Sequence, residues 1–152
     1  MENPKIFHGA WKDQYRRVKR WYSKIQCIDR DNSSISEEEL DTLFAFFQNC
    51  WHLYDWLKNS EVLSVDLLDG FFRDNETMKF CYDICIGGKH LNIDHPKKGH
   101  TRLRIVREFL GQDGGIGRTQ LILFGNDFRD MTGLAKECME QVEAFLHKYR
   151  LL

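Results

Sequence analysis

The chain has 152 residues, of which 42% are hydrophobic, 30% charged and 13% aromatic, with a formal net charge of −1. That length suits one domain with a core of its own, and the composition excludes a chain too polar to fold. Near-neutral bulk charge predicts no partner by itself, and no apolar run reaches the roughly 20 residues of a membrane span.

The opening MENPKIFHGAWKDQ lacks the apolar core of a signal peptide, so a cytoplasmic protein without membrane association is expected. Phe7, Trp11, Tyr15, Val18, Tyr22, Ile25 and Ile28 recur in steps of three and four and predict a helix over 7–28. Arg16, Arg17, Lys19 and Arg20 cluster on its other face. DRDNSS breaks the pattern as a loop.

Ser36 with Glu39 three residues on has the form of a capping box. The helix that follows is predicted to run to about Lys58. Leu40, Leu43, Phe44, Phe47, Trp51, Tyr54 and Leu57 form one stripe, and Phe46, Leu53 and Trp56 a second. A helix apolar on several sides is expected at the centre of a bundle. Its remaining polar stripe is Gln48, Asn49, His52 and Asp55, and the last two are neighbours on the helix surface.

A short helix is predicted over 61–73, and a fourth after the capping candidate Asn75, with Met78, Cys81, Tyr82 and Cys85 on its stripe. Gly87 or Gly88 is expected to end that helix in the left-handed conformation. NIDHPKKGH reads as a loop. Leu103, Ile105 and Phe109 then lie opposite Arg102 and Arg104 with period two. GQDGGIG reads as a turn and TQLILFG as a second strand, giving a β-hairpin over about 102–125. Met131, Leu134, Ala135, Cys138, Val142, Phe145 and Leu146 predict a C-terminal helix. The expected architecture is one α+β domain over 1–152, mainly α. It is a four- or five-helix bundle with one β-hairpin packed alongside, because a lone hairpin is not stable unaided.

Cys27, Cys50, Cys81, Cys85 and Cys138 fall within apolar periodic segments and form no C-x2-C pair, so they read as reduced core thiols rather than metal ligands. GQDGGIG matches neither phosphate-loop pattern. No cofactor or metal is expected.

The residues best suited to chemistry are His52, Asp55, Asp83, Lys89 and His90. If the second and fourth helices are antiparallel neighbours, the His52/Asp55 stripe can approach Asp83. An imidazole beside a carboxylate suits acid–base work. Each residue also has a structural reading: Lys89 and His90 complement a helix dipole, and the aspartates fix helix packing. From Lys89 onward, His90, His95, Lys97, Lys98, His100, Arg102, Arg104 and Arg107 make a basic rim of the kind that binds phosphate backbones, though without stacking aromatics.

The succession FFQNCWHLYDWL, CYDICIGGKHL, hairpin and terminal helix resembles uncharacterised bacterial helical proteins that carry a His-Leu-x-Asp-Trp element and an Asp-x-x-Asn-Gly-x-Lys-His-Leu element. The match falls on His52, Leu53, Asp55 and Trp56, and on Asp83, Gly87, Lys89, His90 and Leu91, with Ile86 in place of the asparagine. Those proteins are distantly similar to the HEPN superfamily of helical bundles, many of which are RNases of toxin or defence systems. An arginine upstream of the histidine typifies such nucleases, and positions 83–86 hold none. The resemblance implies RNA as a partner, a two-fold homodimer, and either RNA binding or metal-independent endoribonuclease activity. In that scheme His90 is the acid/base, Lys89 contacts phosphate, and Asp55 and Asp83 orient the histidines. Lys97, Lys98, Arg102 and Arg104 extend the nucleic-acid contact. The alternative is a non-catalytic interaction or dimerisation domain built on the aromatic-rich helices.

Overall fold

The computed structural model describes residues 10–28, 36–90, 103–106, 109–110, 116–117, 121–124 and 127–152, with side chains described for 10–28, 36–87 and 129–152. Five helices appear among them: α1 (Ala10–Gln26), α2 (Glu37–Asn59), α3 (Val65–Phe72), α4 (Glu76–His90) and α5 (Met131–Lys148). The helical bundle expected from the periodicity is therefore present.

Helix α2 touches each of the other four helices. Its capping box forms as anticipated: the Ser36 hydroxyl accepts from the Glu39 amide, and the Glu39 carboxylate accepts from the Ser36 amide. Leu43, Phe46, Phe47, Cys50, Leu53 and Leu57 are all fully buried along it. They belong to one contiguous core that also takes in Val18, Leu68, Phe72, Met78, Ile84, Leu134 and Val142. Helix α3 is capped by Ser64 and held by Leu68 and Phe72. The Tyr54 hydroxyl donates to Asp69 Oδ1 at 2.6 Å, tying α2 to α3 by a polar contact as well.

Helix α4 begins as predicted, with Asn75 Oδ1 accepting from the Met78 amide at 3.1 Å. Its end differs from expectation. The helix continues through Gly87 and Gly88 to His90. A glycine inside a helix costs only about 1 kcal/mol against alanine, which tertiary packing overrides, and Gly87 is buried. Left-handed residues stand elsewhere, at Glu61 (φ 53°) after α2 and Arg150 (φ 56°) after α5. Arg150 closes a Schellman turn: the Leu151 amide donates to Leu146 O at 2.9 Å and the Arg150 amide to His147 O at 3.0 Å.

Between α4 and α5 the chain forms short strands. β1 (Leu103–Val106), β4 (Leu121–Phe124) and β5 (Asp127–Asp130) are ordered β1-β4-β5, both pairs antiparallel. β2 (Phe109–Leu110) pairs with β3 (Ile116–Gly117). The side chains over 88–128 lie outside the described residues, and with them the packing of the expected hairpin against the bundle.

Candidate nucleic-acid interface

Helix α1 buries Trp11, Gln14, Tyr15, Val18 and Ile25. Everything its sequence places on the other side is charged or polar. Lys12, Arg16, Arg17, Lys19, Arg20 and Lys24 are all exposed, with Asp13 the helix's one carboxylate. Glu143 of α5 approaches the edge of this face, with Lys19 Nζ 3.8 Å from its carboxylate. In a chain with a net charge of −1, this is a concentrated positive surface.

Several of these cations rest on aromatic rings. Lys24 Nζ lies 4.5 Å from the Trp21 ring centre, and Lys12 and Lys19 each lie 5.7 Å from Trp11 and Tyr15 respectively. Exposed contacts of this kind are worth about 0.5–1 kcal/mol. The most constrained is Arg17, on the seam between α1 and α2. Its guanidinium lies 5.7 Å from the Trp56 ring centre, and its Nη1 donates to Gln14 Oε1 at 2.6 Å. Gln14 is 1% exposed. Its Nε2 donates to Asn49 O at 2.9 Å and Asn49 Oδ1 at 3.2 Å, and Asn49 Nδ2 donates to Ala45 O at 2.7 Å. These partners fix which end of the Gln14 amide faces Arg17. An exposed guanidinium is thus held in place by a buried amide.

The same seam locates two of the residues singled out above. Asn49 and Trp56 meet α1, and His52 lies between them in sequence at helical spacing, so His52 flanks the seam. Its side chain is exposed, as is that of Asp55. Asp55 lines a cavity of about 330 Å³ at the end of the seam with Ala10, Trp56, Asn59 and Ser60.

Asp83 is fully buried within α4, so its surroundings differ from those of exposed His52 and Asp55. Lys89 and His90 occupy the last turn of α4, with side chains outside the described residues. Arg104 lies on β1 opposite Leu123, and its side chain is likewise outside them. Lys97, Lys98 and Arg102 fall outside the described residues altogether, as do His95, His100 and Arg107.

Four of the five thiols are buried, as their apolar setting predicts; Cys27, in the turn after α1, is exposed. Cys50, Cys81 and Cys138 lie on α2, α4 and α5, each 0% exposed, and the Cys81 thiol donates to Phe47 O at 3.4 Å. Hydrogen bonds from Cys138 and from Cys81 pull the Cys50 thiol down, whereas burial pushes Cys81 and Cys138 well up. Among the described residues no group of three or more His, Cys, Asp or Glu side chains is placed to hold a metal ion.

Sequence reasoning missed Gln14, which sits among the apolar residues of its own helix. The available signal was a polar residue beside Tyr15 on a buried stripe. No protein-family model matches the chain, and neither a curated protein nor a solved structure matches it.

Proposed function

We propose that this protein binds RNA through the outer face of α1 and the α1–α2 seam. The observation that carries the reading is the row of six exposed cations on α1, with the Arg17 guanidinium fixed by Gln14 and Trp56. Phosphate backbones are recognised by such rows, and a preordered arginine loses less entropy on contact than a free one. The resemblance to HEPN-like bundles favours RNA among polyanions. Trp21, half-buried beneath Lys24, offers a partly exposed ring for stacking. In this reading the segment 102–125 forms a hairpin packed beside the bundle. Its Arg102 and Arg104, with Lys89, Lys97 and Lys98, widen the contact.

The test is fluorescence anisotropy with a labelled RNA of about 20 nucleotides over a salt series. Four phosphate contacts give a slope of log K against log salt near −3, at about −0.7 per contact for a single strand. Arg17→Glu with Arg20→Glu is expected to weaken binding at least tenfold and to flatten the slope. Unchanged affinity and slope in that variant would refute the assignment of the face. Incubation with RNA in chelator then asks whether binding leads to cleavage. Metal-independent scission lost in His90→Ala or His52→Ala makes that histidine the acid/base, and intact RNA throughout makes the protein a binder only.

A second reading, as a protein-interaction or dimerisation domain, draws on another surface. Val62, Val65 and Leu67 are 37%, 45% and 39% exposed at the start of α3. Beside them a cavity of about 370 Å³ runs between α3 and α5, floored by Phe71 and Phe145. Sedimentation equilibrium of the native chain against Leu67→Asp separates the readings. A dimer broken by that change favours the second.

A further inference from the structure

The cavity at the end of the α1–α2 seam is not accounted for by the row of cations on α1. Among the described residues it is lined by Ala10, Asp55, Trp56, Asn59 and Ser60, with a volume of about 330 Å³. That is the small end of the roughly 300–1,000 Å³ of ligand pockets, a size for one planar ring system rather than a length of chain. Trp56 is half-buried and carries the Arg17 guanidinium 5.7 Å from its ring centre, so the cavity and the preordered arginine share one side chain. The Ser60 hydroxyl is engaged, donating to Trp56 O at 2.7 Å. The Asp55 carboxylate and the Asn59 amide have no side-chain partner among the described residues. Beside a phosphate-binding row, an unpaired carboxylate opposes binding unless it meets a donor.

We propose that this cavity holds one guanine base of a bound single-stranded RNA, with the Asp55 carboxylate accepting from N1–H and from the exocyclic amine. The inference rests on the RNA reading of the α1 face and adds the base that the face selects. An ionised carboxylate can only accept. Guanine sets two donors side by side on its Watson–Crick edge, matching the two carboxylate oxygens. Adenine and cytosine set their amine beside a ring-nitrogen lone pair, which repels the second oxygen. Uracil sets its single N–H between two carbonyls. Asn59 supplies a donor for guanine O6, the acceptor next to N1–H. Single-stranded RNA is read in this way, on splayed bases stacked against aromatic or guanidinium planes, and Trp56 with Arg17 provides both. Phosphate contacts along α1 then set affinity, and the cavity sets base preference.

The experiment titrates the full chain into labelled oligouridylates of about 12 nucleotides, identical but for one central G, A, C or U. Anisotropy is expected to show the G probe bound at least roughly tenfold tighter than the other three, as one bidentate contact provides. Inosine at that position keeps N1–H and lacks the amine, and is expected to fall between G and U. Asp55→Ala should bring the four affinities together, to within about twofold. Alanine is a good helix former and position 55 is exposed, so the variant folds. Arg20→Glu, further along the cationic row, should weaken all four probes by a similar factor and keep the ratio. Equal affinities for the four probes in the native chain would overturn the guanine site and leave the RNA reading standing. A preference for G that survives Asp55→Ala would overturn the site as well. No binding to any probe would refute the RNA reading itself, and the site with it.

Discussion

Replacing Phe72 by alanine should be the most damaging single truncation in α3. The ring is fully buried and stands at the meeting of α2, α3 and α5. It lies 5.5 Å from the Tyr54 ring, 4.9 Å from Phe71, 6.0 Å from Trp51 and 6.2 Å from Phe145, between centroids. Removing a buried phenyl group from a core that cannot fully collapse costs about 3–5 kcal/mol. Edge-to-face partners add about 0.5–1.5 kcal/mol for each pair that depends on the ring. Collapse is resisted here because the neighbours are themselves rings fixed by Asp69 and by stacking of Phe71 on Phe145 at 4.3 Å. The expected loss is therefore near the top of that range, about 4–5 kcal/mol. Urea unfolding followed by tryptophan fluorescence measures it, since Trp51 touches the site. An m-value held constant identifies a loss of native packing rather than a change in the unfolded state. Phe72→Leu should recover more than half of the loss. A cost below about 1.5 kcal/mol for alanine would mean that α3 is not docked through this residue, and the account of the α2–α3–α5 junction would fail.

Asp130→Ala removes the cap of α5, where the carboxylate accepts from the Gly133 amide at 3.0 Å and the Thr132 hydroxyl at 2.9 Å; thermal unfolding should show a loss of about 1–2 kcal/mol, and Asp130→Asn should restore most of it. Arg150→Gly places glycine at the left-handed residue of the Schellman turn and should stabilise by about 0.5–1 kcal/mol, with a loss of stability counting against the turn as described. Tyr15 is held neutral by burial and by donating to Glu143 at 2.9 Å, which raises its pKa. A raised native value means that the contribution is complete below the unfolded tyrosine pKa near 10 and is lost as pH rises above it. Tyr15→Phe should therefore cost about 1 kcal/mol at pH 7 and flatten the alkaline decline in denaturant midpoint.

The helices were legible because their signals are local. Ser36 and Glu39 stand three apart and need no tertiary partner to form their box, and the α2 stripe repeats from Leu40 to Leu57, about five turns. The glycines misled for the opposite reason. Gly87 and Gly88 are permissive of a left-handed turn without requiring one, and burial of Gly87 decided for helix. Arg150 shows the converse, with the turn geometry imposed on a residue that does not favour it. Among the site residues, the α2 sequence placed His52 and Asp55 on a polar stripe, and both are exposed. Asp83 is fully buried; its sequence left a buried packing role and a place in a polar cluster both open, because the side of α4 on which it falls is set by α4's neighbours rather than by its own pattern.

Gln14 connects the core to the charged face, and it permits a test that separates holding an arginine from merely packing a helix. Gln14→Leu keeps the side-chain volume at a position 1% exposed while deleting the bonds to Arg17 and Asn49. Asn49 is only half-buried, so water can replace the Gln14 amide at its side-chain oxygen, and the cost of losing that partner is small. Stability should then change by no more than about 1 kcal/mol. RNA affinity should fall several-fold, because a freed guanidinium must be ordered again at each encounter. Arg17→Ala in the same background should add little, since the two changes act on one contact and their effects should not sum. If instead Gln14→Leu weakens the fold and leaves binding untouched, the amide serves only the helix seam. Arg17 would then be one more solvated charge, and the preordered part of the binding face would have to be sought elsewhere on α1.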